Sequence, residues 1–521
     1  MLGDTDSIHA SSHMNPTPAR AERDAGPAGE ARALPLLIDV LQSLRTAGVR
    51  ACYWKSSRRL DAVLRGESDL DLLVARAHQH TARQVFAICG LKAFYDVASR
   101  AHPAVESYLG YDETSGRLVH VHAHFCLALG PRVLKHYRFA VEDAVLAASV
   151  PHPALPLRML DPDTEAVLLA VRMSLDLRRD DPVTLLHWKA TTAKFAADRA
   201  ALAKRTSRES VRQRAAALLN EDLADAIAEL ICGAGSGMVD WRLRRRISGA
   251  LAAYRRVGTA EALLLGAWHG LTLFMGRVNR RYLLLPRPSQ RRAPGGGIVV
   301  VTLGVDGSGK TTLTRALREW LGSEVDVLPM YFGTGDGRPS LLLLPFKLLV
   351  PLVSRLVPTR PRGSSHGSVS DQAPGPLYSV LMMGWAAMLA LEKRRKLLAA
   401  HRAASRGMVV IADRYPQDQI LDFNDGPLLP RLHWAPRWLR RYETQAYALA
   451  RQLSPDLVLK LEAPVETLAR REPSMDLGVI RERAAMLQLL TFQAARTVSV
   501  DTTQPLETVI RTAKAEIWRC L

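Results

Sequence analysis

Apolar side chains recur at steps of three and four over Leu36–Ala47, behind Pro35, a residue tolerated in a first helical turn, so the spacing predicts a helix. The pattern then tightens. Val49–Trp54, Leu70–Val74 and Leu118–Leu129 read as strands and Thr81–Cys89 as a helix, so a β/α domain is expected over 35–150. Long Ala-, Leu- and Arg-rich segments of helical texture follow from Asp163 to Arg281, giving a helical extension over 151–285. The stretch 286–297 is rich in Pro, Gly and Arg and reads as a linker, because Pro and Gly interrupt helix and strand alike. Ile298–Leu303 is a continuous apolar run of the kind a buried parallel strand needs, and it opens a third region, 298–521. Residues 1–34, rich in Ala, Pro, Ser, Asp and Arg without an apolar h-region, are expected to be a disordered lead-in with no signal peptide.

Two apolar stretches bear on membrane contact. Leu341–Val357 is broken by Pro345, Lys347, Pro351 and Arg355, and Pro376–Leu391 is shorter than the ~20 residues that span a bilayer. The second continues through Glu392-Lys-Arg-Arg-Lys to Arg406, which predicts one long helix, buried at its front end. A core helix is the preferred reading of this second stretch, whereas the proline-broken first one could lie on a membrane surface beside arginines.

At 521 residues the chain exceeds one ordinary core, so two or three domains are expected. Cys52, Cys89, Cys126, Cys232 and Cys520 are scattered and form no C-x-x-C pair. That spacing argues against a disulfide framework or a zinc ribbon, and for a reducing, cytoplasmic setting. The net charge of +19 reads as general solubility or polyphosphate attraction in preference to a specific polyanion surface, and its densest run is Arg277, Arg280, Arg281, Arg287, Arg291 and Arg292. No module of interleaved aromatic and basic residues is present, so nucleic acid is not the expected partner.

The chemistry is most legible after Leu303. Gly304-Val-Asp306-Gly307-Ser308-Gly309-Lys310-Thr311 completes the pattern G-x-x-x-x-G-K-[ST] between a strand and the helical spacing of Thr312–Leu321. Its glycines let backbone N–H groups turn in around phosphates at the positive end of a helix. Lys310 is placed to reach the β- and γ-phosphates of ATP, and the Thr311 hydroxyl to coordinate Mg²⁺. Gly407–Asp413 is a second apolar strand ending in an acid, the position at which such proteins hold Mg²⁺. Ligands of open α/β sheets gather at C-terminal strand ends, so Asp413 and Arg414 are expected to face the same crevice.

These segments together resemble the thymidylate kinase family. Gly304-x-Asp306-Gly-x-Gly-Lys-Thr-Thr312 looks like its loop and Asp413-Arg414-Tyr415 like its D-R-[YFH] motif. Leu377–Arg406, Pro455–Glu466 and Val498–Glu507 are similar to its long helix, next strand and closing strand, so the likeness covers nearly all of 296–521. The resemblance implies a three-layer α/β P-loop fold with a parallel sheet, transfer of the γ-phosphate of ATP to a small acceptor, and frequent dimers. It implies that Asp306 contacts an acceptor sugar hydroxyl and Arg414 the acceptor phosphate. Lid arginines, here among Arg470, Arg471, Arg481 and Arg483, would clamp the transferring phosphoryl group. A solvated helix face fits those arginines as well.

The departures fall on the acceptor side. Where the family carries R-E-P-G-G, this chain has Tyr331-Phe-Gly-Thr-Gly-Asp-Gly337, followed by a long insertion over 338–375. After Tyr415 come Pro416-Gln-Asp-Gln and Asp425-Gly-Pro427. An acceptor other than dTMP, phosphorylated or hydroxyl-bearing, is therefore expected.

In the first domain, Asp69 and Asp71 alternate with Leu70 and Leu72, so both carboxylates share one strand face and could hold Mg²⁺ against a triphosphate. Gly66–Val74 resembles the S-D-x-D-[LF] segment of nucleotidyltransferases, which implies an α+β fold and a helical extension. That family has Gly-Ser upstream and a third acid on a later strand; here Lys55-Ser56 and His120-Val-His122-Ala-His124 stand in those places. Three imidazoles on one face could bind a transition metal or contact phosphate, or form an ordinary polar strand face. Nucleotidyl transfer through Asp69 and Asp71 and a nucleotide-switched scaffold without turnover stand as alternatives to the kinase.

Overall fold

The computed structural model describes residues 33–102, 104–130, 134–177, 188–233, 239–282, 287–333, 376–420, 426–427, 429, 434–493 and 495–521. The expectations for 1–32 and for the insertion, including Leu341–Val357, lie outside the described residues.

Pro35–Thr46 forms the first helix, entered through Leu34, whose N–H donates to the Leu64 carbonyl at 2.9 Å. Pro35 supplies the fixed φ at a position whose N–H has no helical partner. Among the described residues a mixed eight-stranded sheet follows. Its order is Arg291–Arg292, Lys92–Asp96, Val105–Asp112, Arg117–His124, Leu70–Val74, Ala51–Tyr53, Arg158–Met159 and Val150–Pro151. The strand expected over Leu118–Leu129 stops at His124, and Ala128–Leu129 pairs instead with Tyr137–Arg138.

The helical extension packs around Pro162–Asp176. Asp161 caps this helix by accepting from Thr164 N at 3.0 Å, and Thr164–Leu175 are all buried. A helix apolar nearly all round must lie inside a bundle. Thr259–Tyr282 behaves in the opposite way, with Leu263, Leu264, Trp268, Leu271 and Phe274 exposed. Among the described residues no helix is long and apolar enough to cross a membrane.

The C-terminal sheet is five-stranded and wholly parallel among the described residues. Its order is Val327–Tyr331, Val409–Asp413, Val299–Gly304, Leu457–Glu462 and Arg496–Asp501. Val299–Gly304 is buried along its whole length, as a central strand covered on both faces requires. The long helix forms as Pro376–Ser405. Ala386, Leu389 and Ala390 of its uncharged stretch are buried, as are Leu397, Ala400 and Ala403 further on, whereas Val380 is exposed. Lys393 is drawn inside as well, within 2.7 Å of the Tyr447 hydroxyl.

The Pro/Gly-rich linker is not a free tether. Arg291–Arg292 adds an antiparallel edge strand to Lys92–Asp96, and the Asp326 carboxylate accepts from Ser289 N and Gln290 N at 2.5 and 2.6 Å. The two α/β units share a core: Phe94, Leu109 and Tyr111 pack with Leu313, Leu317, Leu321 and Trp518. Tyr111 Oη donates to Arg511 O at 3.1 Å, and Lys514 Nζ to Gly116 O at 3.0 Å. The helix Lys310–Gly322 is thus both the phosphate-loop helix and part of the wall between the units. Leu317→Ala, at a fully buried position, is expected to cost about 2–5 kcal/mol, read as a lower urea midpoint. An unchanged midpoint would mean that this shared core is not formed.

Candidate nucleotide site and a second polar cluster

The loop between Val299–Gly304 and Lys310–Gly322 takes its shape from glycine. Gly307 and Gly309 have φ of 80° and 91°, a region that L side chains rarely adopt. A Cβ at Gly304 would collide with Ser308 Oγ, so the strand end must also be bare. Ser308 Oγ is buried without a hydrogen-bond partner. A cradle of this kind, with an orphaned hydroxyl inside it, fits an oxyanion.

Lys310 Nζ folds over the loop and donates to Gly304 O and Val305 O, each at 3.0 Å. It also lies 3.5 Å from Asp306 Oδ1. Burial is the main influence on Lys310 and lowers its pKa; the Asp306 charge pulls the other way.

Asp306 is the meeting point of three cations. Besides Lys310, Arg483 Nη1 stands 3.1 Å from its Oδ2 and Arg414 Nη2 3.6 Å from its Oδ1. Burial opposes ionisation of Asp306, but Lys310, Arg414 and Arg483 outweigh it and hold the carboxyl below its usual range. With a depressed folded pKa, the carboxylate adds stability above its unfolded value of about 3.9 and loses it as pH falls through the folded value. Asp306→Asn is expected to flatten the fall of the urea midpoint between about pH 5 and pH 2. Parallel curves for variant and wild type would show that these ion pairs do not form.

Asp413 ends its strand beside Thr302 and Tyr331 in the parallel register, and its charge reaches Lys310. Arg414 follows with φ 66°, a non-glycine residue in the left-handed region. Strain of this kind persists where the surroundings fix it, and it turns the Arg414 guanidinium back over the loop. Tyr415 turns inward, fully buried against Phe332 at 5.4 Å between ring centroids. Thr311 is exposed beside the loop.

The lid arginines divide. Arg483, half-buried on Leu477–Leu489, reaches Asp306. Arg471 runs beside the loop, since a Cβ on Gly307 would sit 3.4 Å from Arg471 Cβ, but its guanidinium turns to Thr502 O at 2.8 Å. Arg470 bonds Thr467 at 3.3 Å, and Arg481 is exposed. Sequence alone could not choose among the four, because helix spacing allows two faces and nothing in it shows which one meets Asp306.

A second polar cluster occupies the first domain. Parallel pairing sets Asp71 opposite His122 and Leu73 opposite His124. Asp71 Oδ1 lies 2.5 Å from Lys55 Nζ, 3.2 Å from His124 Nε2 and 3.4 Å from His122 Nδ1. Asp69 Oδ1 lies 2.9 Å from His120 Nδ1, which is also 3.2 Å from Glu324 Oε2. Burial lowers His122 and His124 to about 4 and about 3, whereas Asp69 and Glu324 outweigh burial at His120 and lift it to about 9. Glu324 carries no sequence signal for this role; it arrives from the other α/β unit.

No family model matches the chain. Uncharacterized ATP-binding protein YghS of Escherichia coli K12 is 26% identical over 227 residues, 43% of this chain and 93% of that protein. Uncharacterized ATP-binding protein YghR of the same strain is 25% identical over 236 residues, 44% of this chain and 89% of its own length.

Proposed function

We propose that the protein is a P-loop phosphotransferase of the thymidylate kinase-like class, moving the γ-phosphoryl group of ATP to a small phosphorylated or hydroxyl-bearing acceptor. The observation that carries this is the convergence of Lys310, Arg414 and Arg483 on Asp306 at the mouth of the glycine loop. The names of the similar E. coli proteins, which state ATP binding, support the donor.

Catalysis rests on positioning and charge. The loop N–H groups and Lys310 hold the donor phosphates. When ATP binds, Lys310 leaves the carbonyls of Gly304 and Val305 for phosphate oxygens. Arg483 and Arg414, already aimed at the crevice, stabilise charge spread over the equatorial oxygens in transit. Asp306 keeps both guanidiniums in place and can accept a hydrogen bond from an acceptor hydroxyl. Thr311 and Asp413 are the residues that fit Mg²⁺, which would neutralise phosphate charge when bound. Arg470 and Arg471 belong to this mechanism only if the lid rearranges on binding.

The acceptor is proposed to differ from dTMP. Tyr415 is committed to the core beside Phe332, and Gln417 is buried and bonded to Ile420. Incubation with Mg²⁺ and γ-labelled ATP against pooled nucleoside monophosphates, sugars and sugar phosphates tests the proposal. Label on an acceptor other than dTMP is the expected result. Robust dTMP phosphorylation would overturn the choice of acceptor, and ATP binding without transfer would favour a nucleotide-switched scaffold.

A further inference from the structure

We propose that Asp69, His120 and His122 bind one divalent transition-metal ion, at the seam between the N-terminal sheet and the segment after the phosphate-loop helix. Strand alternation puts Asp69 and Asp71 on one face, and the parallel neighbour strand presents His120, His122 and His124 beside them. Donor atoms of Asp69, His120 and His122 all lie within 4.8 Å of one another, as do those of Asp71, His122 and His124. The nitrogens that face Asp69 are Nδ1 of His120, 2.9 Å from its Oδ1, and Nδ1 of His122, 3.9 Å from its Oδ2, so one ion could take both imidazoles and the carboxylate.

Charge and access decide between the two trios. The Lys55 ammonium sits 2.5 Å from Asp71 Oδ1 and opposes a second cation there. Asp69 and His122 keep 39% and 20% of their side chains exposed, so an ion can enter between them. Two imidazoles and one carboxylate suit zinc, iron, manganese, cobalt or nickel better than the all-oxygen preference of magnesium. Three protein donors also leave coordination positions open to water or to an oxygen-bearing ligand.

Arg291 is the resident competitor. Its guanidinium lies 3.3 Å from His122 Nε2, 2.9 Å from Glu324 Oε2 and 3.5 Å from Asp96 Oδ1. A metal-bound imidazole carries its remaining proton on the other ring nitrogen, so the ion can load only as Arg291 leaves His122 for its two carboxylates. Arg291 belongs to the edge strand joining the units, and Glu324 lies two residues past Lys310–Gly322. Metal occupancy is thereby tied to the seam between them.

The test uses untagged full-length protein, stripped with chelator and titrated with Co²⁺ by visible absorption, then challenged with Zn²⁺. One equivalent of Co²⁺ per chain is expected, displaced by Zn²⁺. Asp69→Asn and His122→Gln should each weaken binding about tenfold or more. Asp71→Asn, His124→Gln and Lys310→Ala should leave it within that factor, and Arg291→Gln should tighten it. Circular dichroism and the urea midpoint of each variant report its folding, and the isosteric Asp69→Asn serves if His122→Gln does not fold. Absence of stoichiometric binding by wild type would overturn the proposal. So would a site lost with Asp71→Asn and His124→Gln but retained with Asp69→Asn.

Discussion

Lys310→Ala is expected to lower phosphoryl transfer from ATP by about 10²–10³-fold or more while the fold stays intact. The side chain lies within the loop, bonded to the carbonyls of Gly304 and Val305 and facing Asp306. Those partners can turn to water when it is removed, so the urea midpoint should change little. The donor phosphates, by contrast, lose the ammonium that follows charge as it moves toward the transferring group. Transfer by the variant at the wild-type rate would show that the loop is not the reacting site.

Arg414→Gly is expected to separate stability from activity. The residue sits at φ 66°, where a side chain costs roughly 1–2 kcal/mol and glycine costs nothing in sterics. The substitution relieves that strain but removes a guanidinium 3.6 Å from Asp306. The urea midpoint should hold or rise while transfer falls about 10²-fold. A variant that loses stability and keeps its rate would remove Arg414 from the chemistry and make its conformation structural.

Much of this site is local in sequence and could be read there. The glycines, Lys310 and Thr311 are neighbours along the chain, and Asp413 and Arg414 follow one apolar strand whose end sets their direction. Alternation was likewise enough to put Asp69 with Asp71, and His120 with His122 and His124, on common faces. What was not legible depends on contacts distant in sequence. Arg483 is singled out only by the packing of Leu477–Leu489 over the loop, and Glu324 meets His120 only because two units share a core. The 286–297 linker is held by contacts of the same kind. Its composition disfavours regular structure, but Asp326 ties down Ser289 and Gln290 and leaves Arg291–Arg292 against an open sheet edge.

Along Pro376–Ser405 the buried set includes charged as well as apolar residues. Glu392 and Lys393 are buried just behind Leu389 and Ala390, with Lys396 Nζ 2.7 Å from Glu392 Oε1 and Lys393 Nζ 2.7 Å from the Tyr447 hydroxyl. Buried charges with partners are tolerated, so hydropathy alone does not mark every helix residue that lies inside.

Nucleotidyl transfer by the first domain has weaker support. Asp71 is engaged by Lys55, and imidazoles rather than a third carboxylate stand on the neighbouring strand. A parallel chase with γ-labelled and α-labelled ATP, in the presence of Mg²⁺ and pooled acceptors, tests the central claim most directly. Phosphoryl transfer by the glycine loop predicts γ-label on an acceptor, unlabelled-acceptor product from α-labelled ATP, and no pyrophosphate. Appearance of α-label on an acceptor with release of pyrophosphate, or no transfer of either label, would contradict it.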